Sequence, residues 1–343
     1  MATIKDVAEK ANVSKGTVSN YYSQKRAVSE DTQKRIIRAA EELKYTPNHI
    51  ARSLVTKQTM TISLNIPFSE NLAFSSFHTN LISGVITEAA KQNYRILIDT
   101  LSQEDLDLPH VSRDAMDGVI LLNPRKVDSR IEYLNKFNIP YVVIGQPSDI
   151  YMADAVYVDN NNFDIVHHIV TELITKGHER ILFLNASPAM TVSKVREEGL
   201  YKAFEDKGLS AEHVQIVYKH DMKEDSSEYG FDQINEHFTT QQQPCTAVIA
   251  DMDKVALGAS NALKNKGFQI PEDVSVVALS DDLVLSKDFD PLLSTVDMRS
   301  VDLGSESVKL LFSKIGVGGF KESNSKIIEA VYHRRGSCSE AKR

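Results

Sequence analysis

The 343-residue chain reads as a small all-α domain followed by a larger α/β body of two parallel-sheet subdomains. Three observations predict this. Residues 1–58 hold 11 Lys and Arg against 6 Asp and Glu, while the rest holds 28 against 41, so a basic module precedes an acidic body within a net charge of −8. The basic part carries apolar residues at helical spacing in three short runs. From Met60 onward short apolar runs alternate with amphipathic segments, the sequence form of a parallel α/β sheet.

Composition excludes several classes. With 42% hydrophobic and 25% charged residues the chain is an ordinary globular one and neither disordered nor fibrous. No apolar run approaches the ~18 residues of a membrane span, and Met1 leads into a charged helical pattern instead of a signal peptide, so a cytoplasmic protein is expected. Cys245 and Cys338 are too few and too far apart for a disulfide framework or a Cys-x-x-Cys site, and both are expected as reduced thiols without chemistry.

In the basic module, Ile4, Val7, Ala8 and Ala11 mark one face of a helix over residues 4–10, with Thr3 and Asp6 spaced as a capping box. Asn12 and Val13 form a turn. Ser14 is a good N-cap for a second helix over 15–22, whose inward side is Val18, Tyr21 and Tyr22. Ser29 is expected to cap a third helix over 30–43 with the stripe Ile36, Ile37, Ala40 and Leu43. Three short helices with a tight turn between the first two describe a helix-turn-helix.

That arrangement gives the positive charge a purpose. A helix N-terminus in a major groove presents Lys15, Ser19 and Asn20 to base edges: lysine donates to guanine O6 or N7, and asparagine binds adenine through N6 and N7. Gly16 permits close backbone approach. Ser14, Thr17, Lys5, Lys25, Arg26 and Lys34 are candidates for phosphate contacts, which set affinity and register without reading sequence.

In the body, strands are expected at 61–66, 95–99, 118–122 and 141–144, with a helix over 78–92 whose inward residues are Leu81, Ile82, Val85, Ile86 and Ala89. A second half begins near Asn161, with helices to 176 and over 195–207, 228–238 and 254–266. Its strands are expected at 180–184, 214–217, 247–250 and 274–279. Val296 and a helix over 301–314 are expected to return to the first subdomain, leaving a cleft outside the strand C-termini as the small-molecule site.

Thr3-Ile-Lys-Asp-Val-Ala-Glu-Lys-Ala-Asn-Val-Ser-Lys-Gly-Thr-Val-Ser19 resembles the opening signature of the lactose-repressor (LacI/GalR) family of bacterial transcription regulators. Glu42-Leu-Lys-Tyr-Thr-Pro-Asn-His-Ile-Ala-Arg-Ser-Leu54 is similar to the family's hinge segment. The likeness continues through Asp117-Gly-Val-Ile-Leu121, Gly177-His-Glu-Arg-Ile181, Pro271-Glu-Asp-Val-Ser-Val-Val277 and Pro291-Leu-Leu-Ser-Thr-Val296, and so covers nearly the whole chain.

The resemblance implies an N-terminal all-α helix-turn-helix domain plus an α/β periplasmic-binding-protein-like body of two parallel-sheet subdomains. The expected divisions are a DNA-binding domain at 1–46, a hinge helix and linker at 47–58, and an effector-binding and dimerisation domain at 59–343. Its subdomains are expected at about 59–160 with 291–320, and about 161–290 with the C-terminal segment.

By the same resemblance Asn48, His49 and Leu54 belong to a hinge that folds on DNA, with Leu54 wedged into the minor groove. Val158-Asp-Asn160 and Arg196-Glu-Glu-Gly199 match effector-binding motifs, so Asp159 and Arg196 are the leading cleft residues. A carboxylate accepts from vicinal hydroxyls and a guanidinium donates as a planar fork. Neighbours in sequence point apart on a helix, so Arg196 is not expected to pair with Glu197 or Glu198. Phe74 and Phe77 follow the first strand and either stack on a sugar ring or join the core.

Departures from the family pattern stand at Asn20, where arginine is common, at Met252 in place of asparagine, and at Ser280 in place of the first aspartate of a pair. Met252 and Ser280 remain effector-site candidates by position. The stretch from Thr100 to Met116 is shorter than usual for the family, which implies a reduced second helix in the first subdomain.

The expected protein is a homodimeric, operator-binding, bacterial nucleoid-associated repressor. Its partners would be a pseudo-palindromic DNA operator and a small-molecule effector, a sugar or sugar phosphate, with no cofactor, metal or membrane. The alternatives are a regulator of the same family controlled by a partner phosphoprotein and a sugar- or nucleotide-processing enzyme. The enzyme reading is disfavoured because no Walker loop, His-Glu-x-x-His, Gly-x-Ser-x-Gly or correctly placed Gly-x-Gly-x-x-Gly occurs.

Overall fold

A computed structural model describes residues 2–23, 26–45, 58–66, 75–99, 116–220, 225–281, 289–320 and 325–342. The chain forms two compact units, one holding the N-terminal helices and the other the two sheets.

The first unit contains α1 (Ile4–Lys10), α2 (Lys15–Ser23) and α3 (Glu30–Glu42). The Thr3–Asp6 capping box is present, with Asp6 Oδ2 accepting the Thr3 N–H at 2.7 Å. The core is Val7, Ala8, Ala11, Val18, Ile36, Ala39 and Ala40, with Tyr21, Tyr22 and Leu43 packed partly against it. Two expectations change here. Ile37 is 41% exposed and Ala39 is buried instead, because positions 36, 39, 40 and 43 keep the i, i+3, i+4, i+7 spacing that Ile37 breaks. Ser29 occupies the N-cap position without capping through its side chain; its hydroxyl donates to Thr32 Oγ1 at 2.9 Å instead.

In the second unit, α4 (Ser76–Ala90) and α10 (Ser300–Ile315) pack together against a sheet of order β11-β5-β4-β3-β1-β2. Its strands are β1 (Thr61–Asn65), β2 (Arg95–Asp99), β3 (Gly118–Leu122), β4 (Tyr141–Ile144), β5 (Tyr157–Asn160) and β11 (Lys326–Ile328), and α5 (Ser129–Lys136) joins β3 to β4. The second sheet has the order β12-β10-β9-β8-β6-β7. It contains β6 (Ile181–Asn185), β7 (Val214–Tyr218), β8 (Ala247–Ala250), β9 (Ser275–Ala278), β10 (Ser294–Asp297) and β12 (Val331–His333).

Helices α6 (Asn162–Thr175), α7 (Thr191–Asp206), α8 (Ser226–Thr240) and α9 (Asp253–Asn265) accompany the second sheet. Successive side chains of a strand point to opposite faces. Ile181 and Phe183 therefore join a core with Ile169, Leu200 and Phe204, whereas Leu182 and Leu184 join another with Tyr229, Val255 and Leu263. Both faces are covered, so these strands read as continuous apolar runs. Each fully buried side chain such as Phe183 or Phe204 stabilises the fold by about 1.5–3 kcal/mol.

Several expectations are corrected in the body. Val296 lies in β10 of the second sheet, where Ser294 and Thr295 pair in parallel with Val277 and Ala278 of β9; only the following helix α10 returns to the first. Ile86 is 50% exposed on α4, whose buried side is Leu81, Val85, Glu88 and Ala89. Helix α5 and strands β5, β11 and β12 were not foreseen, being short or interrupted by polar residues.

The chain therefore passes between subdomains after β5, after β10 and after β11. Buried Asn160 ties these passages together, its Nδ2 donating to Met298 O at 3.0 Å and Ile328 O at 2.9 Å.

Candidate functional site

Ser14 builds the start of α2 by accepting the Thr17 N–H on its hydroxyl at 3.0 Å, with the two hydroxyls 2.9 Å apart. These two candidate phosphate contacts thus serve first as the helix cap. Lys15 and Gly16 are exposed, and Ser19 and Asn20 are half-buried. Among the described residues, Lys15, Ser19 and Asn20 have no side-chain hydrogen-bond or ion-pair partner. A methyl placed at Gly16 would meet only Ser14 Oγ at 3.5 Å, an ordinary contact. Packing among the described residues of the module therefore does not demand glycine there.

Lys5 pairs with Glu9 at 3.8 Å on the surface, a contact of little energetic weight. Lys10 instead joins α1 to α3 by closing on Glu42 at 2.8 Å, and Arg38 of α3 approaches the same carboxylate at 3.0 Å. Those hydrogen bonds hold the Glu42 carboxyl below its ordinary range. Asn48, His49, Leu54 and Lys25 lie outside the described residues, as do Phe74 and residues 100–115.

The second group of polar residues collects at the C-terminal ends of the strands. Asp159, half-buried in β5, accepts the Gln146 N–H at 3.0 Å on one oxygen and the Asn160 N–H at 2.8 Å on the other. Asn162, at the start of α6, donates its Nδ2 to Asp159 Oδ1 at 3.1 Å, and its Oδ1 accepts Arg196 Nε at 3.1 Å. Arg196 is only 9% exposed. It reaches Asn162 because α7 and α6 cross closely: a methyl at Gly199, on the same helix face as Arg196, would stand 2.4 Å from Phe163 O. As expected, Arg196 pairs with neither following glutamate. Glu197 accepts from the Tyr218 hydroxyl at 2.6 Å, and Glu198 faces Lys194 at 3.5 Å.

Asp251, immediately after β8, is the counterpart of Asp159. Among the described residues its Oδ1 is buried without a hydrogen-bond partner. Burial pushes the Asp159 and Asp251 carboxyls up to about 6, against the pull of Arg196 on both. Burial likewise holds the Arg196 guanidinium below its usual range, opposed by Asp251 and then Asp159. Two carboxylates poised near neutrality flank one guanidinium, an arrangement suited to a ligand rich in hydroxyl donors and acceptors.

The rim is formed by two loops joined across the subdomains. Thr191 N–H donates to Pro124 O at 3.2 Å and Lys126 N–H to Ala189 O at 3.0 Å. Under the first loop lies a wholly buried ion pair, with Arg130 donating to both oxygens of Asp128 at 2.9 and 2.7 Å and to Asn65 Oδ1 at 2.8 Å. Ser187 O accepts from Ser193 Oγ at 2.6 Å and so fixes the second loop.

The remaining candidates have internal work. Met252 is the N-cap residue of α9 and packs against a hydrophobic cluster. Ser280 Oγ accepts the Asp253 N–H at 2.8 Å, capping the same helix. Phe77 packs against the core of the second subdomain. Asp281, beside Ser280, is held by Arg335 at 3.0 Å. Sequence reasoning missed Asp251 and Asn162. Asp251 directly follows a strand C-terminus, where ligands of this architecture bind, and that position was a usable signal. Asn162 carried none, because its role depends on the α6–α7 crossing.

Residues 3–48 match the bacterial regulatory proteins of the lacI family, and residues 170–338 match a periplasmic binding protein-like domain. The probable HTH-type transcriptional repressor ExuR of Bacillus subtilis (strain 168) is 33% identical over 323 residues, 92% of either chain. The HTH-type transcriptional repressor PurR of Actinobacillus pleuropneumoniae serotype 3 (strain JL03) is 31% identical over 323 residues, again 92% of either chain. Among solved structures, the transcriptional regulator CelR–cellobiose complex aligns with a TM-score of 0.73 at 25% identity, covering 98% of this chain and 100% of that one. The lac repressor dimer bound to operator and the anti-inducer ONPF aligns at 0.80 with 22% identity over 98% and 99%, a likeness of fold. The chain belongs to the lacI family of bacterial regulatory proteins and is a helix-turn-helix transcription regulator with a periplasmic-binding-protein-like body.

Proposed function

We propose that the protein is a homodimeric repressor, and not an enzyme, that acts on a pseudo-palindromic operator in the bacterial cytoplasm. Its DNA affinity is set by a small carbohydrate-like ligand in the cleft. The observation that carries the DNA half is the uncommitted trio Lys15, Ser19 and Asn20 on α2. Polar side chains at a helix N-terminus without internal partners are available to base edges. The domain limits 1–46, 47–58 and 59–343, and the DNA contacts of Asn48, His49 and Leu54, belong to this proposal.

The ligand half is supported by the Asp159–Asn162–Arg196 chain with Asp251 beside it, and by the cellobiose named for one structural neighbour. Ile86 on α4 and Leu97 and Ile98 on β2, which ends the strand order of its sheet, are large apolar side chains left exposed. They suit burial against a second copy. Selection of bound sequences from a random DNA pool tests the first half: a two-fold related pair of half-sites is expected, and recovery of no preferred sequence overturns it. Thermal unfolding against sugars, sugar phosphates and organic acids tests the second, a hit at 100 times its Kd adding about 2.7 kcal/mol.

A further inference from the structure

We propose that Asn162 is the positioning residue of the cleft. Its amide bridges Asp159 and Arg196 and engages the guanidinium through Nε alone, which selects a ligand group with two adjacent acceptor oxygens, a carboxylate or a vicinal diol. The inference rests on the reading of the cleft as a ligand site and names its chemistry.

Four observations carry it. Asn162 is 5% exposed, so its amide must be satisfied inside the protein. Its Oδ1 accepts the single hydrogen bond that the Arg196 side chain makes among the described residues, from Nε. Both terminal nitrogens of the fork are thereby left uncommitted, and a planar fork of two parallel donors matches two adjacent oxygens.

The amide also works in the opposite direction. Its Nδ2 donates to Asp159 Oδ1 at 3.1 Å and to Asn160 O at 3.3 Å, so one side chain supports the carboxylate as acceptor and the guanidinium as donor. Aspartate could not serve both, since it would accept from Arg196 while repelling Asp159. Finally, the backbone is shaped for the contact. The glycine-dependent crossing at Gly199 and Phe163 brings α7 against the first turn of α6, where Asn162 sits.

The test uses the full-length protein and the variants N162A, N162S and N162D. In ligand-free protein, the carboxyl carbon of Asp159 is titrated by NMR. Loss of the Asn162 donor is expected to move its midpoint to higher pH in N162A and further in N162D, with thermal unfolding monitored alongside. An unmoved midpoint in variants that fold overturns the positioning role, and N162S serves if N162A does not fold.

Calorimetry with D-glucose and D-glucuronate, which differ in one terminal carboxylate, then reads the ligand class. Binding of both indicates the diol, and binding of glucuronate alone indicates the carboxylate. Affinity is expected to fall about tenfold in N162A, the effect of one lost charge-assisted hydrogen bond. The acid limb of the affinity profile should shift upward with Asp159. Binding with unchanged affinity and pH profile in N162A overturns the inference while leaving the cleft reading intact. Failure of both sugars to bind the wild-type protein overturns the ligand class, and the Asp159 titration then judges Asn162 by itself.

Discussion

The two polar surfaces of this protein are built on opposite principles. On α2, the side chains of Lys15, Ser19 and Asn20 have no hydrogen-bond or ion-pair partner among the described residues. In the cleft, by contrast, Asn162 bonds both Asp159 and Arg196 within the protein. Water satisfies an exposed polar group until its target replaces it, whereas a buried one must be satisfied by the fold. On the proposed function, single substitutions on α2 are expected to change base preference at little cost to stability, and ligand preference is expected to change only together with the network of the cleft.

The largest expected effect separates the two surfaces outright. A chain of residues 59–343 should lose operator binding, read by fluorescence anisotropy, and still unfold cooperatively in calorimetry. Retained sequence-specific binding would break the division of labour. Next, Arg196→Ala should abolish the ligand-induced rise in stability, about 2.7 kcal/mol at 100 times the Kd. It removes the cation between Asp159 and Asp251, so a preserved shift would place the ligand elsewhere.

Lys15→Ala and Asn20→Ala should each change base preference at one operator position by about 1–3 kcal/mol without moving the Tm. Lys34→Ala should weaken all sequences alike and reduce the salt dependence of binding. Parallel loss on all sequences from the Lys15 and Asn20 variants would remove them from base reading.

A smaller effect concerns pH. The folded carboxyls of Asp159 and Asp251 stand at about 6 against an ordinary 3.8, so the folded protein holds more protons than the unfolded chain between these values. The stability contributed by that protonation is complete below about pH 4 and is lost as pH rises through 6. Asp251→Asn should accordingly be more stable than wild type at pH 7.5 in urea denaturation, with the gain shrinking toward pH 4. A gain independent of pH would contradict the burial of that carboxylate. Smallest of all, Gly16→Ala should leave folding stability unchanged or up to about 1 kcal/mol higher. Its operator affinity is expected to fall, since the added methyl makes only an ordinary contact with Ser14 Oγ inside the protein and, on the proposed function, would crowd the DNA.

The same contrast explains what the sequence made legible. The N-terminal module was readable almost to the residue, since local signals decide it: the Thr3–Asp6 box, the Ser14 cap and the spacing of Val7, Ala8 and Ile36. Ile37 misled because adjacency in sequence is not adjacency on a helix face. In the body, β6, β8 and β9 of the second sheet stood out as apolar runs because both faces are covered. β5 and β11 did not, since Asp159 and Asn160 make half of β5 polar and β11 is only three residues long with its partner β5 distant in the chain. Asp159 and Arg196 came from motif likeness, and Asp251 was within reach from its place after an expected strand; Asn162 required the tertiary structure, as did the capping role that Ser280 plays toward α9. The Arg130–Asp128 pair likewise could not be read as buried from its surface-like composition.

Asn160 has a mechanical consequence. Three separate connections between the subdomains could each bend independently and let the halves drift. Here one amide is shared between the connection it begins and the carbonyls of Met298 and Ile328 in the other two. Displacing any connection alone breaks a bond held by the others, so the connections carry load together. Under the proposed ligand-controlled function, this shared amide makes the three connections respond together, so a closure of the cleft is expected to turn the subdomains about one pivot instead of bending a single connection.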